Sequence, residues 1–244
     1  MGNIAVIFRR ELASYFASPL AYLYIMIFLA LSGGLTFFLG GFLERGQADL
    51  QPFFQFHPWL YLFLIPAIGM RLWAEERKSG SIEFLMTLPV STGQAVIGKF
   101  LAAWVFAGIA LLLTFPIWLT VNYLGQPDNG VILSAYLGSW LMAGGYLAIS
   151  ACVSALTRNQ VIAFVVGAGI CFLFLMSGIE LVQAAFRGWV GEAMLRTLAD
   201  VSFLTNFHAI GQGVIDLRHV IYFLSMIGGC LVINTAIIEL KKGA

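Results

Sequence analysis

Charged residues are scarce in this sequence. Asp, Glu, Lys and Arg make up 10% of the 244 residues, whereas soluble domains carry roughly 25%. The 13 Lys and Arg residues nearly balance the 12 Asp and Glu residues, so the chain lacks the basic field of a nucleic-acid-binding protein and the polarity of a disordered one. Because 60% of the residues are hydrophobic, these absences predict a protein that lies in a lipid bilayer.

Cysteine, histidine and buried charge are also sparse. The three cysteines Cys152, Cys171 and Cys230 lie in charge-free apolar runs and lack the spacing of disulfide or metal motifs. No Asp, Glu, Lys or Arg lies in the middle of an apolar run, although ion-coupled transporters generally need such groups. We interpret the histidines as interfacial anchors, since they lie far apart in sequence. We expect no catalytic residue, metal site or cofactor in this chain.

Six apolar runs are long enough to cross a membrane, which takes about 20 mostly apolar residues. They cover 20–43, 53–74, 98–124, 131–156, 161–181 and 220–239. The second run lies among Pro52, Pro58 and Pro66 and is predicted to bend. The predicted fold class is therefore an all-α integral membrane protein, with a single transmembrane domain over 1–244.

The distribution of Lys and Arg predicts the orientation. With six spans both termini share one side, and that side holds 9 of the 13 Lys and Arg residues. The opposite side holds 7 of the 12 acidic residues. Since cytoplasmic loops carry the excess of Lys and Arg, we expect both termini in the cytoplasm.

An amphipathic segment over 3–18 precedes the first span and is predicted to form an interfacial helix. Pro19 separates the two. At its centre lies the charged stretch Phe8-Arg9-Arg10-Glu11. The apolar face at helical spacing consists of Ile4, Phe8, Leu12, Tyr15 and Phe16.

The connection between the second and third spans is predicted to contain a short helix over 79–89. Gly80 or Ser81 can cap this helix, Glu83 suits its first turn, and Pro89 stops it. The charge cluster Glu75, Glu76, Arg77 and Lys78 precedes the predicted helix. The helix itself is predicted to expose Phe84, Leu85, Met86 and Leu88. The helix either rests on the membrane surface or inserts into a groove of a cytoplasmic partner.

The same connection matches the phosphate-loop pattern G-x-x-x-x-G-K from Gly93 to Lys99. Phe100 stands where a phosphate loop has the Ser or Thr that holds magnesium, and no buried strand precedes the match. We therefore predict that this chain neither binds nor hydrolyses ATP.

Two further segments and one residue pattern are informative. Arg158, Asn159 and Gln160 lie in a short cytoplasmic turn that is either a charged anchor or a partner contact. Segment 182–218 is predicted to form extracytoplasmic amphipathic or re-entrant helices. Small residues four apart indicate close helix packing, within the chain or across a dimer: Gly144, Ala148 and Cys152 in one run, Ala163 and Gly167 in the next.

The order of these features resembles the membrane subunit of type-two ABC exporters. The resemblance rests on the interfacial helix, the long first span, the run from Glu75 to Leu85, and Leu88-Pro89-Val90-Ser91. Asn206-Phe207-His208, the stretch from Gly213 to Leu217 and Tyr222 are similar to the branch of gliding-motility permeases and of permeases for nitrous-oxide-reductase maturation.

This resemblance implies a transport subunit of the bacterial inner membrane rather than an enzyme. It implies a dimer with a second permease copy or paralogue, separate ATP-binding subunits that carry ATP and magnesium, and an extracytoplasmic accessory protein. By the same likeness, Gly80 to Leu88 would be a coupling helix, joined by Glu75 to Lys78 to the second span, with Arg158, Asn159 and Gln160 as a secondary contact. The alternatives are an ATP-independent channel or secondary carrier, and an anchor that passes on mechanical motion.

Overall fold

The computed structural model describes residues 2–80, 90–186, 191–213 and 216–241, and all regular structure within them is helical. The helices are α1 (Asn3–Ala17), α2 (Pro19–Gly34, extended by a π-helical turn Leu35–Leu39), α3 (Gln51–Phe54), α4 (His57–Gly69), α5 (Arg71–Ser79), α6 (Thr92–Leu112), α7 (Phe115–Leu124), α8 (Asn129–Leu156), α9 (Gln160–Met176), α10 (Glu180–Phe186), α11 (Glu192–Asp200), α12 (Phe203–Gly211) and α13 (Leu217–Leu240).

Among the described residues, five helical stretches are long and apolar enough to cross a membrane: Pro19–Leu39, Gln51–Ser79, Thr92–Leu124, Asn129–Leu156 and Leu217–Leu240. They confirm the expectation of an all-α chain with apolar helices of membrane length. The helix in the fifth predicted span, α9, is apolar but has only 17 residues. The count of six spans therefore stays a prediction.

Helix α8 forms the centre of the bundle. It packs against α4, α5, α6, α9, α12 and α13, and 83% of its most apolar 18-residue segment is buried. The corresponding share is 17% for the first stretch and 22% for α13. The outer faces of α2 and α13 are therefore left for lipid or for a second chain.

Small residues explain how closely the other helices approach α8. A Cβ added at Gly144 would come within 2.8 Å of both Trp104 on α6 and Ile227 on α13. The thiol of Cys152 donates a hydrogen bond to the Cys230 carbonyl at 2.8 Å. The small-residue stripe on this run is thus filled by helices of the same chain, which settles the alternative that the sequence left open for these positions.

His57 does not lie at an interface. Its ring is completely buried against Phe28, Phe53 and Tyr61, and its Nδ1 atom is 2.7 Å from the Ser139 hydroxyl. The interpretation of this histidine as an interfacial anchor was wrong, because aromatic side chains from three helical segments enclose it. Its sequence neighbours Phe56 and Pro58 gave no sign of those partners.

Segment 182–218 contributes most of α10 and all of α11 and α12, and α12 packs against α8. It buries Phe203, Phe207 and Ile210, and Ile210 lies 3.0 Å from where a Cβ at Gly138 of α8 would stand. Asn206 fixes this helix by donating to the Asp200 and Ser202 carbonyls, both at 2.8 Å. The placement of the segment outside the cytoplasm stays a prediction.

One end of the bundle gathers most of the predicted site residues. There the C-terminal ends of α5, α8 and α13 meet the N-terminal ends of α6 and α9, and α1 packs against α6. We call this the α1 end. Ser81 to Pro89, which hold most of the predicted helix 79–89, lie outside the described residues.

Candidate functional site

The site is built around α5, the helix that leads into segment 81–89. Its residues Glu75 to Lys78 form the predicted charge cluster, and Gly80 ends it with φ +74°, the left-handed conformation that glycine adopts most readily after a helix. Glu75 pairs with Arg71 one turn earlier at 2.9 Å. Lys78 is exposed.

A serine on α8 holds the bend between α4 and α5. In a continuous helix the N–H of Ala74 would bond to the carbonyl of Met70. Here the Ser154 hydroxyl stands between them: it accepts from Ala74 N–H at 2.9 Å and from Trp73 N–H at 3.1 Å, and it donates to the Met70 carbonyl at 2.8 Å. This inserted side chain interrupts the helical hydrogen bonds at Met70, between α4 and α5, and an insertion of this kind is a usual cause of a helix bend.

A buried lysine joins three helices at the α1 end. Lys99 of α6 places its Nζ atom 2.6 Å from Glu76 Oε1 on α5 and 3.1 Å from Glu11 Oε2 on α1. Its side chain is only 4% exposed, and the ammonium lies 5.6 Å from the centre of the Trp73 ring. We call Glu11, Lys99 and Glu76 the charge bridge.

Helix α1 therefore does more than rest on a membrane surface. Ile7 is buried against the backbone of α6, where a Cβ at Gly98 would come within 2.8 Å of its side chain. Tyr15 stacks on Phe106 with ring centres 5.0 Å apart. Glu11 lies on the same face of α1, between these two contacts.

The electrostatics of the charge bridge favour the ionised form of Glu11. Burial alone would raise the pKa of Glu11, but the charge of Lys99 and hydrogen bonds from Arg10 and Lys99 outweigh it, so the pKa lies below its ordinary value. Arg10 Nη2 is 2.7 Å from Glu11 Oε1. Glu76 Oε2 is buried without a hydrogen-bond partner among the described residues.

A cavity of about 660 Å³ separates α1 and α2 from α4 and α5. Glu11, Glu76 and Lys99 line its polar part, while apolar residues such as Ile27 and Leu64 line the remainder. Because of this gap, α1 is held to the bundle chiefly by its packing on α6 and by the charge bridge.

The other predicted site residues lie at the C-terminal end of α5 and in the turn between α8 and α9. Arg77 donates to the Ala155 carbonyl at 2.7 Å and so ties α5 to the end of α8. Asn159 caps α9 by accepting from Val161 N–H at 2.9 Å, Gln160 is the first residue of that helix, and Arg158 is exposed. Their role as a secondary partner contact stays a prediction.

The remaining predicted residues fall on α1 or beyond the described part of the chain. Phe8 is half-buried and Arg9 is exposed, while Arg10 and Glu11 form the pair described above. The positions that were predicted to dock a partner lie outside the described residues: Ser81, Glu83, Phe84, Leu85, Leu88 and Pro89.

The residues that match the phosphate-loop pattern form the first two turns of α6. Ser91 and Gln94 make a reciprocal capping box at the start of this helix, and Lys99 is engaged by two carboxylates. A phosphate loop needs an open glycine-rich turn whose N–H groups face the ligand. A regular helix with a buried lysine does not supply that arrangement.

Sequence reasoning missed Lys99 and Ser154 as structural residues. One cue for Lys99 was present: Glu11 stands among the apolar positions of α1, where an unpaired carboxylate would be costly. The role of Ser154 had no cue, because its partners are backbone groups of another helix.

Comparison with known proteins agrees with this architecture. A protein-family model described as ABC-2 family transporter protein matches residues 35–220, more than half of the chain. A search of curated protein sequences gave no match.

Proposed function

Because the chain belongs to the ABC-2 family of transporter proteins, whose members are the membrane component of ABC transporters, we propose that it forms one half of a dimeric permease driven by separate ATP-binding subunits. Permeases of this family generally work with ATPase subunits. In this proposal the subunits bind ATP and magnesium and dock on segment 79–89 at the cytoplasmic face of the bacterial inner membrane. The branch with gliding-motility and nitrous-oxide-reductase-maturation permeases is proposed on sequence resemblance alone.

The observation that carries the proposal is the way α5 is fastened. Near the C-terminal end of α5, Glu76 and Arg77 connect it to α1, α6 and α8 through the charge bridge and the Ala155 carbonyl. At its N-terminal end, α5 meets α4 at the bend held by Ser154. A force applied just beyond Gly80 would therefore reach α6 and α8 directly and α1 through Lys99.

The physical chemistry of these contacts favours movement as a unit. Separating a buried ion pair costs several kcal/mol, about 3–5 when one partner is lost completely. Hydrogen bonds at the Ser154 bend can instead be exchanged at a net cost of about 1 kcal/mol each. We infer that α1, α5 and the start of α6 tilt together, and that the bend at Met70 absorbs the change in angle. The nucleotide state of the partner would bias two such packings.

Co-purification with a co-expressed ATP-binding subunit from the same gene cluster tests the proposal. Truncating an interface anchor costs about 1–3 kcal/mol, so Phe84→Ala/Leu85→Ala is expected to weaken partner binding roughly ten-fold or more while the chain still inserts. The matched control is Phe38→Ala/Leu39→Ala, an exposed apolar pair at the opposite end of the bundle. Its partner binding is expected to stay unchanged.

Two outcomes contradict the proposal. If the Phe84/Leu85 variant retains its partner and a partner-stimulated ATPase rate, the segment is a membrane-surface helix. If liposomes containing this chain alone transport solute without ATP, the chain is a channel or a secondary carrier.

A further inference from the structure

Three cations gather at the C-terminal end of α8. Lys241 Nζ donates to the Leu156 carbonyl at 2.6 Å, and Arg77 Nη1 donates to the adjacent Ala155 carbonyl at 2.7 Å. Arg158 follows two residues after Leu156 and is exposed. We call Arg77, Arg158 and Lys241 the basic triad; it brings together α5, α13 and the turn after α8.

The helix end explains only part of this arrangement. The last carbonyls of a helix lack partners and carry partial negative charge, so they attract cations. Three cations also repel one another: burial and then the charges of Arg77 and Arg158 lower the pKa of Lys241. Within the described ranges no carboxylate forms an ion pair with any of the three. The nearest acid along α13, Glu239, lies two residues before Lys241, about 200° around the helix.

The apolar surface beside the triad identifies the kind of ligand. Leu240 and Ile233 on α13 are 79% and 55% exposed, and Val161 and Ile162 at the start of α9 are 67% and 51% exposed. Exposed apolar residues of two helices of a membrane protein therefore lie beside the cations along the chain: Leu240 precedes Lys241, and Val161 and Ile162 follow Arg158. A phospholipid presents the matching order of groups, phosphate first and acyl chains behind it.

We propose that the basic triad binds an anionic phospholipid whose headgroup carries two phosphates, with its acyl chains against α9 and α13. Basic pockets between spanning helices suit such headgroups. Two phosphates can engage three cations at once, whereas a single phosphate leaves part of the repulsion in place. Bound there, the lipid would clamp α5 to α8 and α13.

Native mass spectrometry of the delipidated, purified chain tests this with cardiolipin, phosphatidylglycerol and phosphatidylcholine of matched acyl chains. We expect cardiolipin to bind with the highest affinity. Arg158→Gln/Lys241→Gln should lower that affinity roughly ten- to thirty-fold, as expected for two basic residues near a headgroup. The control Arg9→Gln/Arg45→Gln removes two charges elsewhere and should leave it unchanged. Far-UV circular dichroism verifies that both variants are folded.

Several results would overturn the proposal. One is equal affinity for cardiolipin and phosphatidylglycerol, and another is equal affinity in the triad variant and in the wild type. Complete displacement of the lipid by pyrophosphate would assign the triad to a soluble anion. Loss of an ATP-binding subunit from the triad variant with unchanged cardiolipin binding would assign it to a protein partner.

Discussion

Removing the charge of Lys99 is the sharpest test of the charge bridge. Lys99→Met keeps most of the length and the apolar stem of the side chain but leaves Glu11 and Glu76 facing each other without their cation. The lysine side chain is 4% exposed and the two carboxylates are 17% and 20% exposed. The cavity that these residues line brings some water to them, but too little of their surface is open for water to replace the lost ammonium fully.

The size of the effect follows from this burial. Breaking a fully buried ion pair costs about 3–5 kcal/mol. Since both carboxylates reach some solvent and Arg10 still pairs with Glu11, we expect about 2–3 kcal/mol. For a chain of this length each kcal/mol shifts the melting temperature by about 2–4 °C, so the apparent Tm should fall by roughly 4–12 °C.

A second variant separates charge from packing. Lys99→Met/Glu76→Gln removes the lysine and the carboxylate that faces it, so it should be more stable than Lys99→Met alone; this coupling is the signature of a direct contact. The measurement is Trp-fluorescence thermal unfolding of the purified chain in one detergent. The reasoning is refuted if Lys99→Met has the same Tm as the wild type, or if Lys99→Met/Glu76→Gln has a lower Tm than Lys99→Met.

The pH dependence provides an independent check. The pKa of Glu11 in the folded chain lies below its ordinary value of 4.5, so the unfolded chain binds the proton more readily. The ionised carboxylate therefore contributes stability above about pH 4.5, and this contribution is lost as the pH falls through the folded pKa. The Tm difference between the wild type and Glu11→Gln should be largest near pH 7 and should shrink below about pH 4.5; a constant difference would contradict this assignment.

The other two predictions concern the bend and the topology. Ser154→Ala leaves the backbone groups of Met70, Trp73 and Ala74 without their partner and should lower the free energy of unfolding by about 1–3 kcal/mol. The control Ser32→Ala removes only a local hydrogen bond to the Leu29 carbonyl and should lower it less. Equal losses of Tm in the two variants would contradict the bridging role of Ser154. Cysteine introduced at Gln47 should react with an impermeant thiol reagent from outside, and cysteine introduced at Ser79 should react only after permeabilisation. The reason is that the excess of Lys and Arg marks the cytoplasmic side. The opposite labelling pattern would reverse the predicted orientation.

The helices were predictable from the sequence where local chemistry alone decides them. The run 131–156 and the helix Asn129–Leu156 nearly coincide, because a long uncharged segment can satisfy its backbone in a membrane only as a helix. The interfacial segment was predicted over 3–18 and the helix covers Asn3–Ala17. In both cases the apolar pattern and a capping or breaking residue mark the same boundary.

What the sequence did not reveal depends on which distant residues meet. His57 and Ser139 are 82 positions apart, and Trp73 and Ser154 are 81. Their hydrogen bonds depend on how α4 and α5 pack on α8, which no local pattern records. Lys99 is the clearest case: the sequence excluded its G-x-x-x-x-G-K match as a phosphate loop but indicated no other role, whereas the tertiary structure supplies two carboxylates.

The contacts of the charge bridge differ in kind from the apolar surfaces on the outer faces of α2 and α13. Apolar side chains in contact can slide past one another at small cost, because the hydrophobic effect is non-directional and follows the area buried. A buried ammonium between two carboxylates has no such freedom, since displacement leaves a charge uncompensated. The charge bridge therefore makes α1, α5 and the start of α6 the part of this end most resistant to internal shear. The exposed apolar faces of α2 and α13 are the surfaces on which rearrangement against lipid or a second chain costs least.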